Sequence, residues 1–220
     1  MPAVCRQVTD ISAGISADIS AGEFRQAMGH FATGVTVVTS VAPDGTPVGT
    51  TANAVTSLSL DPPLVLVCFD LASLTLQAIR DHGAFAVNVL AEPQRELSSN
   101  FARRGFAAAW DEVPHRPGQT GSPRLHGVLA VLDCTVESRV PGGDHEIIIG
   151  RVREAEVPGD GAPLVYWRGG YASLGLTRDQ LSPRPRRAGG RTQPPRCRGY
   201  SWHRGPLFAP TAGRLERWGP

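Results

Sequence analysis

Two short stretches carry the residue types best suited to holding a ligand. Residues 49–67, GTTANAVTSLSLDPPLVLV, open with nine residues that are small or hydroxyl-bearing apart from Val55, and two prolines further on start a solid apolar run. An extended segment of this kind offers backbone N–H groups and hydroxyls, and its short side chains let a flat or anionic ligand approach the main chain. The same composition also fits a small-residue strand packed under a helix. Ten residues beyond the second proline, Ser73-Leu74-Thr75 stands at a predicted helix start. Unpaired N–H groups and the helix dipole make such a start a seat for phosphate, although Ser73 is equally suited to plain capping. Together the two stretches suit the two ends of a phosphorylated ring cofactor. They do not form a nucleotide loop: G-x-G-x-x-G is absent, and the chain contains no lysine to complete a Walker motif.

The elements that must position these residues read as mostly β with a few short helices. In AGEFRQAMGHFATG, Phe24, Ala27, Met28 and Phe31 fall on one helical face, and Gly34 is the expected stop. VTVVTSV and VGTTANAV read as strands of a hairpin around the Asp-Gly turn of APDGTP, followed by the strand LVLVCF. SLTLQAIRDHG predicts a short helix capped by Ser73 and stopped by Gly83. AFAVNVL is a strand, and EPQRELSSNFARRG has proline in the first turn of a second helical run. No form is predicted for the loop that follows. GVLAVLDCTVESRV, HEIIIGRVREAEV and APLVYWRGGY read as three further strands. Long crossover connections are scarce, which favours a closed or partly closed antiparallel barrel over a βαβ sheet.

Bulk properties set the frame. At 220 residues and 41% hydrophobic content the chain can bury a sizeable core. All 22 basic residues are arginine, and the net charge is only +2. Ten of the arginines lie between Gly175 and Pro220 with only Asp179 and Glu216 opposing them, a local balance of +8. That segment also holds seven prolines and seven glycines and has no apolar period, so it is expected to be a disordered tail. The expected organisation is a flexible N-terminus over 1–20, a folded domain over 21–174 and the tail over 175–220. The four cysteines form no C-x-x-C pair and read as buried or free thiols. MPAVCRQVTDISAG has no long apolar region behind a basic start, and no stretch approaches membrane-spanning length. A cytoplasmic protein without membrane association is expected.

FRQAMGHFATGVTVVTS, GTTANAVTSLSLDPPLVLVCFD, SLTLQAIRDHGAFAVNVL, SSNFA, GGDHEIIIGRV and PLVYWRGGY resemble, in order and spacing, the flavin reductase components of two-component flavin-dependent monooxygenases. The resemblance covers roughly Phe24 to Leu174. It implies a Greek-key FMN-binding split barrel, usually a homodimer, that takes hydride from NADH or NADPH, reduces FMN or FAD, and supplies a separate oxygenase. In such chemistry the cofactors carry the reactivity, so no catalytic triad and no metal are expected.

The resemblance assigns Thr51, Ala52, Asn53, Ala54, Val55, Ser57 and Leu58 to the flavin ring and ribityl chain. It assigns Ala72, Ser73, Leu74 and Thr75 to the phosphate, and Asn100 and Phe101 to the flank of the cofactor. His145 and Tyr171 match positions near the nicotinamide. By residue type alone, His145 reads as a histidine at a strand start after a Gly-Gly turn, Asp144 as a turn residue, and Phe101 and Tyr171 as core or rim aromatics. Arg151 or Arg153 would be available to the 2′-phosphate of NADPH. Two other classes stay open. One is a split-barrel flavin binder with another role, such as ferric reduction or binding without turnover. The other is nucleic-acid association through the tail, which its few aromatics and lack of a recognised module disfavour.

Overall fold

The computed structural model describes residues 19–103 and 110–176. All of them belong to one compact unit, Met1–Pro183, and a second unit, Arg184–Pro220, lies outside the described residues. The expectations for residues 1–18 and for the tail beyond 176 therefore fall outside them as well.

Helix α1 (Ala21–Met28) starts at a capping box in which Ser20 and Glu23 satisfy each other's backbone N–H groups. It ends at Gly29 rather than running to Gly34, and Thr33–Gly34 forms a short strand, β1. No residue of α1 is buried, and the apolar face formed by Phe24, Met28 and Phe31 stands exposed.

The first hairpin forms as expected from β2 (Thr36–Val41) and β3 (Pro47–Ala52). Asp44 accepts from the Thr46 N–H at 2.9 Å, and Gly45 takes a φ of 86°. Strands β4 (Val55–Leu60) and β5 (Pro63–Asp70) make a second hairpin, with a register shift between Ser57 and Ser59. Helix α2 (Leu74–His82) follows. Ser73 accepts from the Leu76 N–H, Gly83 closes the helix at a φ of 73°, and Thr75, Leu76, Ala78 and Ile79 are buried. After β6 (Ala84–Val89) and a 3-10 turn comes α3 (Arg95–Phe101).

The stretch left without a predicted form contains a small hairpin, β7 (His115–Pro117) and β8 (Pro123–Leu125). A long hairpin follows, β9 (Ala130–Gly142) and β10 (His145–Glu156). APLVYWRGGY is not one strand: it divides into β11 (Val165–Trp167) and β12 (Gly170–Ala172). Arg168 and Gly169, at φ values of 50° and 80°, reverse the chain between them.

Seven strands pair in the order β3-β2-β6-β9-β10-β5-β4, every neighbour antiparallel. The mostly β expectation holds, but closure of the sheet does not: the terminal strands β3 and β4 are not hydrogen-bonded to each other. Only Asn53 and Ala54 separate them in the chain, and the step from Ala52 to Val55 spans at most about 11 Å. The two edges therefore approach at one end. The connecting residues bond elsewhere, Asn53 to the Thr33 hydroxyl at 3.2 Å and the Ala54 carbonyl to the Cys68 N–H at 3.1 Å.

The inner strands are covered on both faces. Val38, Phe85 and Val87 pack with Leu76 and Ile79 of α2, whereas Val37, Ala86 and Val131 pack with Phe101 of α3. Cys68 and Cys134 are free thiols, as expected. Burial pushes the Cys134 thiol up to about 12, and the neighbouring Asp133 adds to the effect. Among the described residues, no helix is long and apolar enough to cross a membrane.

Candidate functional site

Helices α2 and α3 pack against different core clusters, yet their ends meet around the sheet's terminal strand, β3. There they line a half-open cavity of about 240 Å³. Ala72, Ser73, Leu74 and Thr75 form one wall, and Phe101 lies on another, so the structure brings together two groups that are far apart in sequence. The remaining lining comes from Gly49, Thr50, Asp70, Ala102 and Arg103, which the sequence reading did not single out.

Gly49 has a signal that only the fold reveals. A Cβ at this position would lie 3.0 Å from Phe101 Cε1 and 3.3 Å from Thr39 Cγ2, so the lack of a side chain lets α3 settle against β3. The Asp70 carboxylate accepts the Ala72 N–H at 2.8 Å and shapes the loop into α2.

Thr51, next to this cavity on β3, does not present a free hydroxyl. Its Oγ1 donates to the Ser98 carbonyl of α3 at 2.7 Å. Tyr171 donates its phenol to the Ser98 hydroxyl at 2.8 Å, and its ring meets Tyr166 edge-on. Both residues thus anchor α3, Thr51 to the sheet and Tyr171 to β12. Thr51→Val and Tyr171→Phe are each expected to lower stability by about 1 kcal/mol. Because both act through Ser98, the double variant should lose less than the sum. Denaturant midpoints check this, and unchanged midpoints for both single variants would refute the anchoring.

The rest of the small-residue segment forms an open surface. Ala52 is buried, its carbonyl accepting the Thr36 hydroxyl at 2.7 Å, and half-buried Val55 packs on the core. Asn53, Ala54, Ser57 and Leu58 are exposed. The register shift within β4 comes at Leu58, and β4 is an end strand whose outer edge has no neighbour in the sheet. Main-chain donors and acceptors there suit the polar rim of a flat ring, and short side chains keep the approach clear. Asn100 is half-buried near the end of α3, its carbonyl accepting the Arg103 N–H at 3.3 Å.

His145 opens β10 directly opposite Asp70 of β5, one ladder pair from the cavity wall. Its Nδ1 lies 2.7 Å from Asp144 Oδ1, and the ring remains partly exposed. That hydrogen bond holds the Asp144 carboxyl below its ordinary range. The Asp144 carbonyl accepts the Leu71 N–H at 3.2 Å, tying the turn to the loop before α2. The arginines considered for a 2′-phosphate are occupied: Arg151 makes a two-pronged pair with Glu137 at 2.7 and 2.8 Å, and Arg153 donates to the Thr135 hydroxyl. Among the described residues, no group of acidic, histidine or cysteine side chains is placed to hold a metal.

The residues therefore fit a phosphorylated flat cofactor: a half-open pocket at a helix start, with an open small-residue strand edge leading away from it. Comparison with known proteins agrees. Residues 28–175 match the flavin reductase like domain. The chain is 42% identical over 165 residues to the reductase subunit HsaB of a flavin-dependent monooxygenase from Mycobacterium tuberculosis, covering 73% of this chain and 86% of that one. It is 38% identical over 171 residues to an NADH-dependent flavin reductase of Rhodococcus, covering 77% and 95%. Among solved structures, the NADH:FAD oxidoreductase of Streptomyces globisporus superposes with a TM-score of 0.67 at 31% identity, covering 74% of this chain and all of that one. With the shared domain spanning both the pocket and the strand edge, the chain belongs to the flavin reductase like domain family.

Proposed function

We propose that the protein uses a reduced nicotinamide nucleotide to reduce FMN or FAD, and that the reduced flavin passes to a separate flavin-dependent oxygenase. The observation that carries this reading is the pocket that joins the Ala72–Thr75 helix start to Phe101, beside the strand leading into Asn53, Ala54 and Ser57. When bound, the flavin supplies the hydride-accepting chemistry. The chain's own residues bind and orient: the α2 start takes the phosphate, and the β4 edge takes the ring. Reaction by direct transfer needs donor and acceptor about 3–3.5 Å apart, so geometry is what the protein contributes.

His145, beside Asp70, is placed in this reading to seat the nicotinamide. NADH is favoured over NADPH because Arg151 is already neutralised by Glu137. The sheet, with its edges approaching at one end, corresponds to a split barrel, and a homodimer would cover the apolar face of α1. A cytoplasmic setting suits the two free thiols.

Steady-state oxidation of NADH and NADPH, each with FMN, FAD and riboflavin, tests the reading through loss of the nicotinamide's near-ultraviolet absorbance. Flavin-dependent oxidation with preference for NADH is expected, and no oxidation with any pairing would overturn it. His145→Ala should raise the KM for NADH about tenfold, the equivalent of ~1.4 kcal/mol, while flavin affinity stays unchanged. Equal losses in both would remove His145 from the nicotinamide site.

A further inference from the structure

Phe101 closes α3 and forms an aromatic wall of the cavity. Its ring is buried, and two of its neighbours belong to different parts of the fold. One is the bare backbone of Gly49 on β3, where an added Cβ would stand 3.0 Å from Phe101 Cε1 and 3.2 Å from Cδ1. The other is Trp110, the first residue of a one-turn 3-10 helix (Trp110–Glu112). The Trp110 ring meets Phe101 edge-on, with centroids 5.3 Å apart and planes at 63°, the geometry of a favourable aromatic pair. Trp110 is not among the described residues that line the cavity. It is half-buried and packs on the core cluster that contains Phe101, Leu125 and Leu164.

Trp110 is itself held in place. The His115 ring meets it edge-on at 5.0 Å and 75°, and His115 stands opposite Leu125 in the β7–β8 hairpin. The Leu125 N–H donates to Asn88 Oδ1 of β6 at 2.9 Å, and Asn88 Nδ2 donates to the Thr39 hydroxyl of β2 at 3.2 Å. Thr39 pairs with Gly49. The contacts thus close a circuit from Gly49 through Phe101, Trp110 and His115 to the hairpin, and back across β6 and β2 to β3. From Leu125 to Gly49 the links are ladder pairs and buried hydrogen bonds. Through Trp110 and Phe101 they are ring contacts, so a change at Trp110 is taken up by Phe101.

We propose that Trp110 is a positioning residue for the flavin: acting through Phe101, it fixes the wall against which the cofactor lies, without touching the cofactor. The inference rests on the flavin reductase reading. An unbranched or aliphatic side chain at 110 fills part of the same volume but offers no ring edge. Phe101 then gains freedom to rock, and the cofactor loses a wall of fixed position. A phenyl ring at 110 retains the edge.

The test is titration of the full chain with FMN and FAD by flavin fluorescence, together with visible circular dichroism of the bound flavin at saturation. Wild type is compared with the ringless variants Trp110→Leu and Trp110→Met, with Trp110→Phe, and with Val113→Ala, which trims the same core cluster without removing a ring. The ringless variants should weaken both flavins about three- to tenfold, the scale of one aromatic pair, and alter the dichroism. Their KM for flavin should rise while kcat at saturating flavin stays within about twofold. Trp110→Phe should recover most of the affinity and the wild-type dichroism, and Val113→Ala should leave both as they are. Unchanged affinity and dichroism in the ringless variants would overturn the proposal. So would an equal loss in Val113→Ala, which marks general loosening of the fold, or a Trp110→Phe protein no better than Trp110→Leu. Titration and dichroism need no turnover, so a wild type that binds flavin yet oxidises no nicotinamide would remove the reductase reading alone.

Discussion

Replacing Asp133 with Ala should lower the unfolding free energy by about 3 kcal/mol, near the lower end of the range for breaking a buried ion pair. Asp133 on β9 is fully buried, and the Arg124 side chain of β8 that faces it is 4% exposed. Arg124 donates to Asp133 at 3.0 Å and to Glu154 and Glu156 at the rim, while the Thr120 N–H and hydroxyl close over Asp133. Gly118 completes the cover, since a Cβ there would come within 2.6 Å of Arg124 Nε and 3.0 Å of Asp133 Cγ. Arg124 Nε is itself buried without a partner among the described residues, so the guanidinium depends on the bonds it does make. Removing Asp133 strands this cation at its inner end. Glu154 and Glu156 are near half-exposed and remain, which keeps the loss at the low end of the range.

Asp133→Asn keeps an acceptor for Thr120 and should cost less. Exchanging both Arg124 and Asp133 for apolar residues of similar volume should recover much of the loss. Denaturant unfolding measures all three, and an Asp133→Ala protein within about 1 kcal/mol of wild type would show that the pair is not a pin of the fold. Against a typical total of about 5–15 kcal/mol, the expected loss would be visible without extrapolation.

This network was invisible in the sequence for a physical reason. Asp133 lies in AVLDCTV, a run that reads as a two-sided apolar strand, and its partner nine residues earlier belongs to a hairpin with no propensity signal of its own. Features set by local chemistry were legible: Ser73 and Gly83 bounding α2, the Asp44-Gly45 turn, and the long hairpin around Gly143. The reversal at Arg168 was not, because a positive φ at a non-glycine residue leaves no mark on composition.

The candidate site divides along the same line. Ser73–Thr75 could be picked out as a capped helix start and the segment from Thr51 as a run of small residues unusual for a strand, and the resemblance tied both, with Ala72, to the cofactor. Gly49 and Arg103 could not, because each matters only once the end of α3 is laid across β3. Tyr171 and Thr51 were placed at the ligand by resemblance, and in the fold both spend their hydroxyls on Ser98. Their nearest influence on the pocket is therefore to fix α3, and with it Phe101 and Arg103.

Gly150→Val sets two effects against each other, and packing should win. Valine is among the best strand formers and glycine among the poorest, a difference of up to about 1 kcal/mol in favour of the variant. Gly150, however, lies in the middle of β10, paired with Val65 of β5, at the position where the β9 register shifts. The Phe85 ring from β6 lies directly over it. A Cβ at Gly150 would come within 2.8 Å of Phe85 Cε1, closer still to Cζ, and 3.2 Å from Cys134 Cβ. Phe85 is fully buried among Val67, Leu76, Ile79 and Ile148, so the ring has no open side to move toward. Overpacking of this kind typically costs about 1–3 kcal/mol, and the two extra methyl groups of valine push the loss to the upper end.

Size exchange gives the decisive measurement. Phe85→Ala alone should cost about 3–5 kcal/mol, through lost burial and the cavity left behind. Combined with Gly150→Val, the new side chain enters the space vacated by the ring, so the double variant should be more stable than the sum of the single losses by at least about 1 kcal/mol. Strict additivity would mean that the two side chains do not compete for one volume. A stabilised Gly150→Val protein would mean that strand propensity, rather than the ring, governs this position.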